Sequence, residues 1–141
     1  MTLEDLKTHE TLRITPLTYN YGGASGVTLH ECPPNGQGIT ALIALGIVEA
    51  LEESGAVDLT KLELNSAEWL HTLIEATRLA FADTRALVGC PDVMEKEVVD
   101  RLLSKVCARL VGRVCGGGVV ADGCGSHLVF AGVPGRACEA V

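Results

Sequence analysis

Read from the N-terminus, the spacing of apolar positions changes from helical to alternating and back to helical, and each change marks an element. Thr2 with Asp5 three residues on forms a capping box, which predicts a short helix to about His9 with Leu3 and Leu6 turned inward. Arg13 to Tyr19 and Val27 to Cys32 then alternate and are rich in β-branched residues. With Gly22-Gly23-Ala24-Ser25-Gly26 between them, they predict a β-hairpin with a loose turn. Pro16 cannot donate to a ladder, so it belongs at a sheet edge or a bulge.

The stretch Glu31-Cys32-Pro33-Pro34-Asn35-Gly36-Gln37-Gly38 holds the chain extended, permits a tight turn, and passes at once into a helix from Ile39 to Leu51. Between Ile39 and Val48 only Thr40 is polar, which predicts burial on all sides. Glu49, Glu52 and Glu53 then mark emergence into water, and Gly55 suits a left-handed C-cap. A longer helix follows, with Asn65 as N-cap and Glu68 three residues on. Its stripe of Leu70, Leu73/Ile74, Thr77, Ala80/Phe81, Thr84 and Leu87/Val88 places Phe81 at the centre of the core, where Phe81→Ala would cost roughly 3 to 5 kcal/mol. Gly89 and Pro91 end this helix, and a third, from about Lys96 to Lys105, has Val99, Leu102 and Leu103 as its apolar side.

Composition divides the chain. Residues 1 to 105 carry 8 basic and 16 acidic side chains and read as one unit, because no repeat occurs and the linker from Gly55 to Asn65 is too short to separate domains. In the last 36 residues, Val, Gly, Ala and Cys supply 25 positions, which weakens helix and strand propensity alike. Residues 106 to 141 are therefore either a flexible, irregular Gly/Val/Cys-rich tail or translated sequence never selected as protein. The missing amino acids there are mostly those with A/T-rich codons, which favours the second reading.

A net charge of -7 and a pI near 5.0, with no cluster of Lys or Arg, exclude a nucleic-acid or anionic-membrane surface as the expected partner. No uncharged apolar stretch approaches the ~20 residues of a spanning helix. Two acids in the first five residues and no apolar core to a leader predict a cytoplasmic location. The six cysteines contain no CxxC pair and no regular period, so free thiols are expected.

Candidate chemistry is sparse. The Gly36-x-Gly38 turn could present amides to an anion, yet it lacks the third Gly of a dinucleotide loop and the GK[ST] of a P-loop, so a structural turn is the simpler reading. The histidines at 9, 30, 71 and 127 fit no metal spacing, and His71 reads as a packed or half-exposed helix residue. Asp83 could be a buried acid, but a surface or cap role paired with Arg85 or Arg78 is favoured. Cys124 and Ser126 beside His127 have nucleophile-and-base chemistry without a supporting acid. Zinc binding by Cys107, Cys115, Cys124 and His127 would need spacings that form no knuckle.

In order, Met1-Thr2-Leu3-Glu4-Asp5-Leu6 with His9, Pro16, Tyr21-Gly22, Glu31 to Ile39, Asn65 to His71, Ile74-Glu75-Ala76, Leu79 to Asp83 and Leu102 to Lys105 resemble the γ-glutamyltransferases (glutathione hydrolases) of the N-terminal-nucleophile hydrolase superfamily. The Pro-Pro-Asn-Gly-Gln-Gly form is similar to the branch that includes oxamate-type amidohydrolases. The resemblance covers only the last part of the family's large subunit. It implies an α/β fold, a fragment of a four-layer αββα sandwich represented here by a hairpin and about three helices.

In the family a Thr heads the small subunit as nucleophile. This chain has no Thr after Thr84, so no catalytic residue carries over, and no cofactor or metal is assigned. Cys90 stands where the family has an acid before Pro91-Asp92, an aromatic is replaced near Leu87, and the hairpin has extra residues around Ala24. The implied activity is γ-glutamyl amide transfer or hydrolysis at family level, with this chain inactive alone. A hairpin and three helices without the sheet that they normally cover would leave apolar surface exposed, so self-association is expected, and the alternative to an enzyme piece is a non-catalytic binding fragment that docks on a full-length relative or another partner.

Overall fold

The computed structural model describes residues 1–23, 26–95 and 97–104. The expected tail therefore lies outside the described residues, as do Lys96 and Lys105, but Glu97, Leu103 and Ser104 lie within them and are not helical, so the last helix is shorter than expected. The elements in chain order are α1 (Leu3–Lys7), β1 (Leu17–Tyr21), β2 (Val27–Glu31), α2 (Gly38–Glu53), α3 (Ala67–Leu87) and α4 (Val98–Leu102). This is an α/β arrangement of one antiparallel two-stranded sheet and several helices.

The capping box forms as expected. Thr2 Oγ1 accepts from the Asp5 amide and the Asp5 carboxylate accepts from the Thr2 amide. The helix stops at Lys7, however, and Leu3 and Leu6 are exposed rather than inward, because nothing among the described residues packs on so short a helix. The hairpin pairs Leu17 with Glu31, Tyr19 with Leu29 and Tyr21 with Val27. β1 begins after Pro16, so the proline is neither in the ladder nor at a bulge: with no N–H to donate, it stands one residue outside the pairing. Along β1, Leu17, Tyr19 and Tyr21 turn toward α2 while Thr18 and Asn20 face water, the period of two that a half-buried strand requires. Gly26 closes the turn, and a Cβ there would strike the Tyr21 carbonyl.

α2 is the centre of the molecule. Ile39, Leu42 and Ile47 are fully buried, each worth roughly 1.5–3 kcal/mol of removed apolar surface. Only Ala41 among its first eleven residues is exposed, close to the all-round burial expected. Its first turn has no room for a side chain at Gly38, where a Cβ would come within 3 Å of Glu31. At the far end Gly55 takes φ +74, the left-handed cap conformation. One expectation fails here. Glu49 does not emerge into water; it is 7% exposed, and Glu52 is half-buried, because the hairpin lies over both.

α3 runs antiparallel to α2, with Thr40 at the start of one meeting Thr84 near the end of the other. Its N-cap is Ser66, whose hydroxyl accepts from the Trp69 amide, and not Asn65, which sits at φ +64. The buried side of α3 is Thr72, Ala76, Ala80 and Asp83, with Leu73, Leu79, Leu87 and Val88 partly covered. The expected stripe is thus borne out in part: Ala80 is fully buried and Leu73, Leu87 and Val88 are partly covered, but Leu70, Ile74 and Phe81 are exposed, Phe81 by 47%. Alanines let the helices approach closely, and the larger side chains on the neighbouring face are left outward. α4 adds Val98 and Leu102 to the same core, with Val99 and Leu103 partly buried against it.

Candidate functional site

Two polar arrangements stand out. The first is where the hairpin meets the end of α2. The Tyr19 hydroxyl donates to Glu49 Oε2 at 2.6 Å, and the Gly22 amide donates to Glu49 Oε1 at 3.0 Å. One strand residue pair further along, the Tyr21 hydroxyl donates to Glu52 Oε2 at 2.6 Å. Two tyrosines spaced by two on a strand thus meet two glutamates spaced by three on a helix, each pair lying on one face of its element. Burial first, and then the glutamate beneath each, push both phenols well above their usual range, so both remain neutral donors.

The second is a cleft of about 460 Å³ between the turn that opens α2 and the last turns of α3. Asn35, Gly36 and Gln37 form one wall, Phe81, Arg85 and Val88 the other, and Ile39, Thr40 and Thr84 the floor. Thr40 and Thr84 are already engaged with each other at 3.3 Å, and Thr84 also donates to the Ala80 carbonyl. Arg85 is the one charged residue of the lining, and the first turn of α2 carries no acid. The cleft therefore has amide, hydroxyl and guanidinium groups but no nucleophile paired with a base.

Among the described residues, those singled out in the sequence do not converge. Gly36 lines the cleft and Gly38 follows it in the first turn of α2, so the turn's role in shaping the chain is visible. His9, His30 and His71 are all exposed, which for His71 removes the packed alternative. Cys32 and Cys90 are exposed free thiols. Asp83 is buried and not a surface acid, and Arg78 instead donates to Glu75 at 2.7 Å. Cys107, Cys115, Cys124, Ser126 and His127 lie outside the described residues. Among the described residues, no three His, Cys, Asp or Glu come together as a metal would need, and no helix is long and apolar enough to cross a membrane. The Tyr19–Glu49 and Tyr21–Glu52 pairs were missed, although the spacings of two and three were readable.

Comparison with known proteins decides the family. The family model described as Gamma-glutamyltranspeptidase matches residues 1–113. The chain belongs to that family. It is 32% identical over 115 residues to the glutathione hydrolase-like YwrD proenzyme of Bacillus subtilis, covering 79% of this chain and 20% of that protein. It is also 33% identical over 98 residues to the oxamate amidohydrolase proenzyme of Klebsiella pneumoniae, covering 70% of this chain and 16% of that one. Among solved structures, Helicobacter pylori gamma-glutamyltranspeptidase shares the fold with a TM-score of 0.66 at 22% identity, over 86% of this chain and 36% of that chain. The chain thus spans one fifth or less of the curated relatives named here.

Proposed function

We propose that this chain is a piece of a γ-glutamyl amide transferase or hydrolase, contributing a hairpin and helices to the edge of a four-layer αββα sandwich, and that it does not catalyse alone. The observation that carries this reading is the match to residues 1–113 against relatives several times longer, in a chain with no Thr beyond Thr84 to act as nucleophile. The Tyr–Glu contacts hold the piece together and lie outside the lining of the cleft described above, which fits a supporting unit rather than a reaction centre. On this reading residues 1 to 105 are the family unit and 106 to 141 a divergent tail. Purified chain supplied with a γ-glutamyl anilide, or with oxamate, should release product no faster than a protein-free blank. Turnover above that blank would overturn the proposal.

A narrower reading follows from the form Pro33-Pro34-Asn35-Gly36-Gln37-Gly38, which together with the 33% identity to an oxamate amidohydrolase supports that branch of the family. The alternative function is binding: the fragment docks on a full-length relative through the outer face of α3, where Leu70, Ile74 and Phe81 are exposed. Co-expression with the Bacillus subtilis relative tests it. Recovery of both in one complex supports docking, and clean separation argues for the first reading.

A further inference from the structure

Asp83 is used by neither arrangement above. It stands on the side of α3 that also carries Thr72, Ala76 and Ala80 into the core, and it is 5% exposed. Among the described residues no hydrogen bond or ion pair holds its carboxyl, and the Arg78 guanidinium on the same helix is engaged with Glu75. A carboxyl in such a place is tolerable when neutral and costly when charged.

We infer that Asp83 makes the packing of α3 against the core sensitive to pH: neutral, it stays on the buried side of the helix with Thr72, Ala76 and Ala80, and ionised, it draws the last turns of α3 toward water and loosens that packing. No charged side chain among the described residues offsets the charge, and only the edge of the carboxyl reaches water. From Gly38 to Val48, α2 has no titratable side chain, and its Glu49 and Glu52 are engaged by the hairpin tyrosines at the opposite end. α4 and the segment before it carry Asp100, Arg101, Glu95 and Glu97, of which Arg101 and Glu95 face each other at 3.8 Å. Cys90 and Asp92, after α3, are exposed, as is Arg85 on the cleft side of α3.

None of these groups moves the Asp83 carboxyl; burial alone pushes it up from 3.8 to about 6. Between those two values the folded chain holds a proton that the unfolded chain has released. Stability therefore falls as pH rises through that window and stays lower above it.

The test is urea unfolding of the full chain and its Asp83→Asn variant at several pH values, with amide hydrogen exchange as a local readout. From about pH 4 to about pH 7 the unfolding constant of the parent should rise about ten- to a hundredfold relative to the variant. Exchange of the Ala80 to Leu87 amides should quicken over the same range in the parent only. A ratio that stays within about twofold, or exchange that responds equally in both, would overturn the inference. If Asp83→Asn does not fold, a carbon NMR titration of the Asp83 carboxyl in the parent decides: a midpoint near 6 supports it, and one below about 4.5 sinks it.

Discussion

The Tyr19 hydroxyl lies over a glutamate that is 7% exposed, so its removal would leave an acceptor under the hairpin with one donor fewer. Tyr19→Phe should lower stability by about 1–3 kcal/mol in urea titration, and Tyr21→Phe by less, because Glu52 keeps access to water. Both phenols stay protonated in the folded chain beyond the pH of about 10 at which unfolded tyrosine ionises. The folded state then binds more protons, and stability should decline as pH climbs past 10; tyrosinate absorbance followed alongside circular dichroism would show ionisation appearing only with unfolding. None of this was legible in the sequence, where Glu49 reads as the first solvated residue of α2. The period of α2 could not reveal that a strand from thirty residues earlier would cover its last turns, since that depends on how the hairpin docks.

At the scale of elements, what local chemistry dictates was readable. The capping box, the alternation of β1, the continuous apolar run of α2 and the Gly55 cap all follow from neighbours a few residues apart. What failed were the choices that tertiary packing makes. In α3 the expected stripe has the right period, and its Ala80, Leu73, Leu87 and Val88 do meet the core, but the helix is rotated so that Thr72, Ala76 and Asp83 are buried with them while Leu70, Ile74 and Phe81 stay exposed. Phe81→Ala should consequently cost about 1 kcal/mol or less, while Ile47→Ala, at 1% exposure, should cost about 2–5 kcal/mol; chemical denaturation of the pair would reverse their order if the stripe were the true core face. In the hairpin, Gly26→Ala would press a methyl onto the Tyr21 carbonyl and should destabilise by about 1–3 kcal/mol. Equal unfolding midpoints would show that the turn is not held in this geometry.

For the whole molecule, the family was legible because its motifs are local and ordered, and the candidate site was not, because no single motif carries it. Leu70, Ile74 and Phe81 leave an apolar strip along the outside of α3, and Leu3, Leu12 and Ile14 are exposed as well. Such a surface favours association. Light scattering of the purified chain should give a mass above that of a monomer, and Ile74→Glu should lower it. A sharp, monomeric two-state melt of the parent would contradict this expectation.

The hairpin and α2 are joined at both ends. At one end Pro33 to Gln37 connects β2 to the first turn of the helix, and at the other Tyr19 and Tyr21 grip Glu49 and Glu52 in its last turns. Asn35, Gly36 and Gln37 are exposed and are the natural place for a protease to cut. A single nick there would open the covalent end of this ring and leave the other closed. The two pieces should then travel together through a sizing column and part only in denaturant, so this link can be severed without releasing what it connects.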